Sequence, residues 1–365
     1  MIVRAFIVDD EPPARVRLRQ LLAEVGGVLV VGEAGDAIEA RESIAEARPD
    51  VVFLDIEMPE LSGTDLAATL PEPRPLVVFA TAFERYALAA FAVEATDYLV
   101  KPIARARLSD TVARVRERLS RRTDLERDLA GASAAQAMLQ HRTLPLIAGY
   151  DSAAITIPAR GVGGDFFIGQ PIDNKRTALA LGDVAGKGMS AGIVASGLQA
   201  RIEAVARLGG GTASDVVADV NRSLCSGTDL GRFATLVYAE LDIEKSRLTV
   251  VNAGHLPPIV LAPGSEPTLI SSTAPALGWA SDARFDAVTV SLPPKSLVLF
   301  YSDGVTEATN SDDVEFDQWR LIEQVQAHVD DPAARLCESV VAAVRAHTGR
   351  RRADDDVTVM AIRRL

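Results

Sequence analysis

The chain has 365 residues, room for two domains and a connector at about 150 residues per domain. Hydrophobic residues make up 48% and charged residues 24%, which excludes disorder over most of the length. Thirty-eight basic against 50 acidic side chains leave a net charge of −12, which argues against a partner that is nucleic acid.

The first 120 residues alternate between short apolar runs and segments with helical spacing. The runs are Ile2–Val8, Val28–Glu33, Val51–Leu54, Leu76–Ala80 and Thr96–Val100. Their continuous apolar character predicts strands buried on both faces of a parallel sheet. Helical spacing between them, as in Val16, Leu18, Leu21, Leu22 and Val25, predicts a doubly wound α/β fold. No run approaches the roughly 18 apolar residues of a membrane span. Ile2–Val8 reads as a strand without a cleavage site, and Cys225 and Cys337 are too far apart in sequence for a disulfide framework or a zinc site. The expectation is a cytoplasmic protein with no membrane partner.

Ligands of such sheets sit beyond the carboxyl ends of the strands. Strand one ends in Asp9-Asp10-Glu11, strand three in Asp55, strand four in Thr81 and strand five in Lys101-Pro102. Converging carboxylates repel unless a cation neutralises them, and a hard divalent ion suits an all-oxygen site. A carboxylate beside such an ion and a lysine is a plausible phosphoryl acceptor. Together with Leu54-Asp55-Ile56-Glu57-Met58-Pro59 and Ser62-Gly63, these residues resemble the receiver domain of response regulators, over 1–120. The resemblance implies that Asp55 accepts phosphate from a histidine kinase. It also implies that Asp9, Asp10, Asp55 and the Glu57 carbonyl hold Mg2+, that Thr81 and Lys101 contact the phosphoryl group, and that Tyr98 is the switch aromatic.

Residues 103–145 read as a helical linker. Leu108, Val112, Val115 and Leu119 keep alternating four-three spacing, as do Leu125, Leu129, Ala132, Gln136 and Leu139. The series join through Arg122 by two consecutive three-residue steps, the mark of a stammer in a coiled coil. The expectation is a dimerising coiled coil, hence a homodimer; the alternative is an amphipathic helix packed on its own domain. The charges from Arg114 to Arg127 read as a solvated face.

In residues 146–365 strands predominate, with helices expected at about 188–206, 212–225, 315–328 and 332–346. Strand candidates are Ala178–Leu181, Ala234–Leu241, Leu248–Asn252, Leu297–Tyr301 and Val357–Ile362. Strands grouped with paired helices predict an α/β β-sandwich. Acids again close apolar runs: Asp165 after Gly163-Gly164, Asp183 after Ala178–Gly182, Asp303 after Val298–Ser302, and Asp354, Asp355 and Asp356 before Val357. With almost no His or Cys beside them, Mg2+ or Mn2+ is favoured over a softer metal. Two such ions would activate a water for in-line attack on a phosphoester.

The order of these motifs resembles the PPM-type serine/threonine phosphatases in their SpoIIE-like branch. The residues that carry the likeness are Val162–Phe166, Gly182–Gly188, Asn252–His255, Ser302–Glu307 and Asp355–Thr358. The resemblance implies two Mn2+ or Mg2+ ions held by Asp165, Asp183, the Val184 carbonyl, Asp303 and Asp355, with Asp356 behind them. It implies a phosphoserine or phosphothreonine protein as substrate, a STAS-type anti-sigma-factor antagonist in a partner-switching pathway. The family commonly has an acid three residues after Asp165, where this chain has Ile168. A carboxylate is therefore expected to be missing from the rim, and a degenerate, partner-binding phosphatase is the alternative. His255 reads as structural. A diguanylate cyclase would need Glu at Phe166, and Gly186-Lys187-Gly188 lacks the rest of a P-loop.

Overall fold

A computed structural model describes residues 2–71, 73–82, 95–139, 143–159, 161–208, 211–227, 233–349 and 355–365. Two sequence readings lie outside the described residues: Asp354 and the helical segment between the fourth and fifth strands, at 83–94. The chain forms two compact units, Met1–Arg127 and Asp128–Leu365.

In the first unit, β1 (Val3–Val8), β2 (Val28–Ala34), β3 (Val51–Leu54), β4 (Leu76–Thr81) and β5 (Asp97–Val100) form a parallel sheet in the order β2-β1-β3-β4-β5. The strands lack polar alternation because both faces are covered. Phe6 and Val8 face α2 (Ala37–Ala47) and α3 (Gly63–Ala68), while Val3, Ala5 and Ile7 face α1 (Pro12–Val25). Local chemistry sets the helix ends: α1 has Pro at its start, and the Asp36 carboxylate caps α2 by accepting from the Ile38 and Glu39 amides.

One helix, α4 (Arg105–Leu139), runs without a break through the segment read as a connector. The structure corrects that reading in part. Leu108, Val112 and Val115 are buried in the first unit's own core beside Leu18 and Leu22, so this half of the apolar series faces its own sheet. The arginines are more than a solvated face. Arg116 donates to the Gly26 carbonyl, Arg118 to the Thr96 hydroxyl and Arg122 to the Arg74 carbonyl. Arg121 and Arg127 pair along the helix with Glu117 and Asp124. Leu125 is exposed.

The second unit is a four-layer αββα sandwich. One antiparallel sheet is built from β7 (Phe166–Pro171), β8 (Arg176–Val184), β9 (Ala234–Asp242), β10 (Arg247–Ala253) and β13 (Val288–Ser291), in the order β13-β10-β9-β8-β7. The other holds β6 (Tyr150–Ile157), β11 (Ile259–Leu261), β12 (Thr268–Leu269), β14 (Leu297–Tyr301) and β15 (Val357–Arg364), in the order β12-β11-β14-β15-β6. Alternation along β8 explains the layering. Leu179 and Leu181 point between the sheets toward Val298, Phe300 and Met360, and Ala178 and Ala180 face α5 (Met189–Leu208) and α6 (Ala213–Gly227). The second sheet is covered by α8 (Asp317–Ala327) and α9 (Ala333–Thr348), whose Leu321, Leu336 and Val340 bury against it. A short helix, α7 (Asp303–Thr306), follows β14.

Asp97 anchors α4 to the first sheet. Its carboxylate receives Arg107 through both terminal nitrogens at 2.7 and 3.0 Å, Arg114 at 2.6 Å and the Thr111 hydroxyl at 2.5 Å. Burial alone would raise its pKa, but these donors outweigh that and hold it at about 2. Because the folded value lies below the unfolded 3.8, the stabilisation is complete above pH 4 and lost as pH falls toward 2. Asp97→Asn is expected to destabilise the first unit by about 2 kcal/mol at neutral pH, with the difference vanishing near pH 2. Denaturant melts of the full chain from pH 7 to 2 measure this, and a difference unchanged by pH would contradict the charge-based account.

Candidate functional site

The first candidate site is made by the sheet ladder continuing one residue past the strand ends. The Asp9 amide donates to Ala34, the Asp55 amide to Val8 and the Lys101 amide to Thr81, which brings these side chains to one edge. There Lys101 Nζ lies 2.7 Å from Asp9 and 2.6 Å from Asp55. Burial would lower the lysine's pKa, but the two carboxylates outweigh it and raise it, so the ammonium stays charged. Carboxylate oxygens of Asp9, Asp10 and Asp55 lie within 4.8 Å of one another, a spacing that one hard cation would bridge. The Glu57 amide donates to Asp55 at 3.3 Å. Gly63 closes the loop: a Cβ there would sit 1.9 Å from the Asp55 carbonyl oxygen. Thr81 is fully buried, and its hydroxyl has no hydrogen-bond partner among the described residues. Tyr98 is half-buried against the core cluster and pairs with Phe79 across the sheet.

The second candidate site gathers acids from four places in the sandwich. Asp165 precedes β7, Asp183 is the penultimate residue of β8, Asp303 opens α7, and Asp355 and Asp356 precede β15. Glycines permit the approach. A Cβ on Gly164 would lie 2.7 Å from the Val184 carbonyl oxygen and 2.9 Å from an Asp183 carboxylate oxygen, and one on Gly304 would lie 2.1 Å from the Asp356 carbonyl oxygen. Ser302 ties the second sheet's acids together, receiving the Thr358 amide and donating to the Asp356 carbonyl.

These acids feel one another as charges. Burial and the neighbouring Asp303, Asp355 and Asp356 push Asp183 up to about 7. Burial and Asp183 push Asp165 well above the carboxylate range, against the pull of Thr358 and Ser302. Burial and Asp355 raise Asp303. Lys187, 2.8 Å from Asp355, offsets part of this repulsion. Oxygen donors in mutual repulsion, with glycines leaving the Val184 carbonyl open beside Asp183, fit hard divalent cations. Among the described residues, no three of these acids close to the 4.8 Å spacing of the first site, so the donor set is the wider of the two.

Three features were not legible beforehand. Glu307 borders this cluster: its pKa is raised first by burial and then by the charge of Asp303. Lys187, quoted only within a glycine motif, supplies the local positive charge. Gln136, read as one step of an apolar series, is buried with its carboxamide on the Gly163 backbone. Ile168, where the family's acid was expected to be missing, is fully buried on β7 in the cluster with Ala178 and Ala180, under α5.

Comparison with known proteins follows the same division. Residues 5–113 match the response regulator receiver domain, and residues 173–365 match the family of stage II sporulation protein E (SpoIIE). The transcriptional regulatory protein BtsR of Escherichia coli K12 is 48% identical over 121 residues, 33% of this chain and 51% of BtsR. The chain thus spans about half the length of the curated relatives it matches. The SiaA-PP2C domain of Pseudomonas aeruginosa superposes with a TM-score of 0.59 at 18% identity, covering 66% of this chain and 98% of that one. The RsbU and RsbW domains of Rv1364c from Mycobacterium tuberculosis give 0.55 at 24%, covering 62% and 63%. These two structures share the fold.

His255 sits in this sandwich as a brace. Its Nδ1 is 2.7 Å from the hydroxyl of Thr235, the β9 residue paired with Asp183, and its Nε2 is 3.2 Å from the Tyr301 carbonyl. The carbonyl requires Nε2–H as donor, which leaves Nδ1 to accept from Thr235. Burial lowers its pKa to about 4. With the folded value below the unfolded 6.5, its contribution is complete above pH 6.5 and lost as pH falls toward 4. His255→Gln is therefore expected to lose about 3 kcal/mol less stability than the parent between pH 7 and pH 4. Parallel pH-dependent melts of the two full chains test this, and superimposable pH profiles would refute it.

Proposed function

The chain belongs to the SpoIIE family and carries a response regulator receiver domain, and on that premise we propose that it is a response regulator whose output is metal-dependent protein dephosphorylation. We assign residues 1–120 to the receiver, 103–145 to the connector and 146–365 to the phosphatase.

In the receiver, a histidine kinase is the phosphoryl donor. An Asp55 oxygen attacks phosphorus, the P–N bond to the kinase histidine breaks, and the imidazole leaves with the electron pair. Asp9, Asp10, Asp55 and the Glu57 carbonyl would hold Mg2+, which screens the incoming charge. Lys101 is already placed on Asp55 at 2.6 Å, and the buried Thr81 hydroxyl is a donor available to a phosphoryl oxygen. A move of Thr81 toward that oxygen changes the packing room of Tyr98.

In the phosphatase, Asp165, Asp183, the Val184 carbonyl, Asp303 and Asp355 would hold two Mn2+ or Mg2+ ions. Bound there, the ions supply Lewis-acid stabilisation of the phosphoryl oxygens and activation of the attacking water. Asp356 supports from behind: its carboxylate accepts from the Ala159 amide at 2.8 Å. The observation that carries this reading is the convergence of Asp165, Asp183, Asp303 and Asp355 from four separate segments into one repelling set. The non-catalytic alternative, a degenerate phosphatase that binds a partner, rests on the absence of a carboxylate at Ile168, a position buried in the core. The proposed substrate is a phosphoserine or phosphothreonine protein, a STAS-type anti-sigma-factor antagonist in a partner-switching pathway. Phosphorylation of Asp55 is proposed to activate, in a homodimer formed through the exposed stretch of α4 around Leu125.

Phosphate release from p-nitrophenyl phosphate and from a phosphoserine peptide, with Mn2+ and with or without beryllofluoride, tests the proposal. Turnover is expected to require Mn2+ and to rise with beryllofluoride. Asp183→Asn should lower it at least about 100-fold while leaving Asp55 able to take phosphate from acetyl phosphate. Absence of turnover in every condition would make the second unit a binding module.

A further inference from the structure

Two side chains near the end of α4 hold the backbone that leads into Asp165. Ser133 Oγ donates to the Gly161 carbonyl at 2.6 Å. One turn on, Gln136 Nε2 donates to the Gly163 carbonyl at 2.8 Å, and its Oε1 accepts from the Gly163 amide at 3.1 Å. The carboxamide therefore pairs with both backbone groups of Gly163, as an adjacent strand would. It also reaches the Gly192 carbonyl of α5 at 3.4 Å. Gln136 is only 8% exposed, on a stretch where Ala134, Ala135 and Met138 are exposed. Burying a carboxamide is unfavourable unless it is well bonded, so its partners decide its place.

On its other side Gly163 meets Asp356. A Cβ on Gly163 would lie 2.1 Å from Asp356 Oδ2, and the Asp356 carboxylate accepts from the Ala159 amide at 2.8 Å and the Asp165 amide at 3.5 Å. Gly163 is thus clamped between a helix carboxamide and an active-site carboxylate, two residues before Asp165. Ser133, Gln136, Gly163 and Asp165 also line an open cavity of about 420 Å³. Directional hydrogen bonds with Gln136 and Asp356 hold this buried loop.

We infer that Gln136 is a positioning residue for the metal centre: it fixes Gly163, and through it Asp165, so that affinity for the divalent ion depends on where the end of α4 sits. The inference rests on Asp165 being a metal ligand, as proposed above. A displacement of the end of α4 by about 1 Å directly away from Gly163 would stretch both Gly163 bonds beyond hydrogen-bonding range.

The test uses the full chain with Asp9→Asn and Asp10→Asn, so that the receiver does not contribute, titrated with Mn2+ and followed by the electron paramagnetic resonance of the free ion. Gln136→Met keeps the length of the side chain and removes its donor and acceptor. Mn2+ binding is expected to weaken about ten-fold, with faster hydrogen exchange at the Gly163 amide and a loss of turnover that excess Mn2+ recovers. Gln136→Asn, one methylene shorter, gives the same readouts if the Met variant does not fold. Binding within two-fold of the parent overturns the inference. Asp165→Asn separates the two levels. If it leaves Mn2+ binding intact, the ligand assignment fails; if it weakens binding while Gln136→Met does not, only the role of Gln136 fails.

Discussion

Like charges held at the ends of buried strands are the constraint on which both units turn. A carboxylate in water relaxes its repulsions by moving or by solvation; one fixed at the end of a β-strand in a close-packed core can do neither. In the first unit the ladder places Asp9 and Asp55 at one edge, and Lys101 between them supplies the opposite charge. In the second, Lys187 reaches Asp355 but leaves Asp183 near a pKa of 7 and Asp165 well above the carboxylate range. Such strain marks a place where a ligand of opposite charge completes the structure.

The backbone around these acids is arranged to permit that crowding. Gly63 lets its loop lie against the Asp55 carbonyl, Gly164 lets a loop lie against Val184, and Gly304 lets a helix begin against Asp356. At each of these positions a methyl group would collide with a main-chain oxygen, so the spacing of the acids and the choice of glycine are one requirement. The rest of the sandwich supports it from a distance. His255 and Thr235 hold the strand beside Asp183, and Ser302 joins β14 to the approach of β15.

Helix α4 has a different character in each half. Its first half is core and anchor, with Leu108 and Val112 buried and Arg107, Thr111 and Arg114 closed on Asp97 next to Tyr98. Its last turns carry Ser133 and Gln136 onto the Gly161–Gly163 backbone. Between them Leu125 is exposed and the helix is supported by pairs of its own charges, such as Arg122 with Glu126. The helix thus carries hydrogen bonds to the start of β5 in its first half and to the backbone leading into Asp165 in its last turns.

Most of the fold and most of the acids were legible in the sequence, because the signals are local. Short unbroken apolar runs rich in β-branched residues, such as Val51–Leu54, read as strands covered on both faces, and alternation in β8 separates the two faces of a sandwich sheet. Acids and glycines directly after such runs then mark the strand ends. What the sequence could not decide was the destination of a side chain with two physically reasonable environments. Leu108, Val112 and Val115 have the spacing of a dimer seam and of an amphipathic core helix alike, and only the position of the sheet assigns them to the core. Ile168 follows a metal-site motif, yet the pleat of β7 turns it inward under α5. Gln136 occupies an apolar register, and only the folded path of residues 161–163 gives its carboxamide two backbone partners. Periodicity reports which residues share a face; tertiary structure alone decides what that face meets.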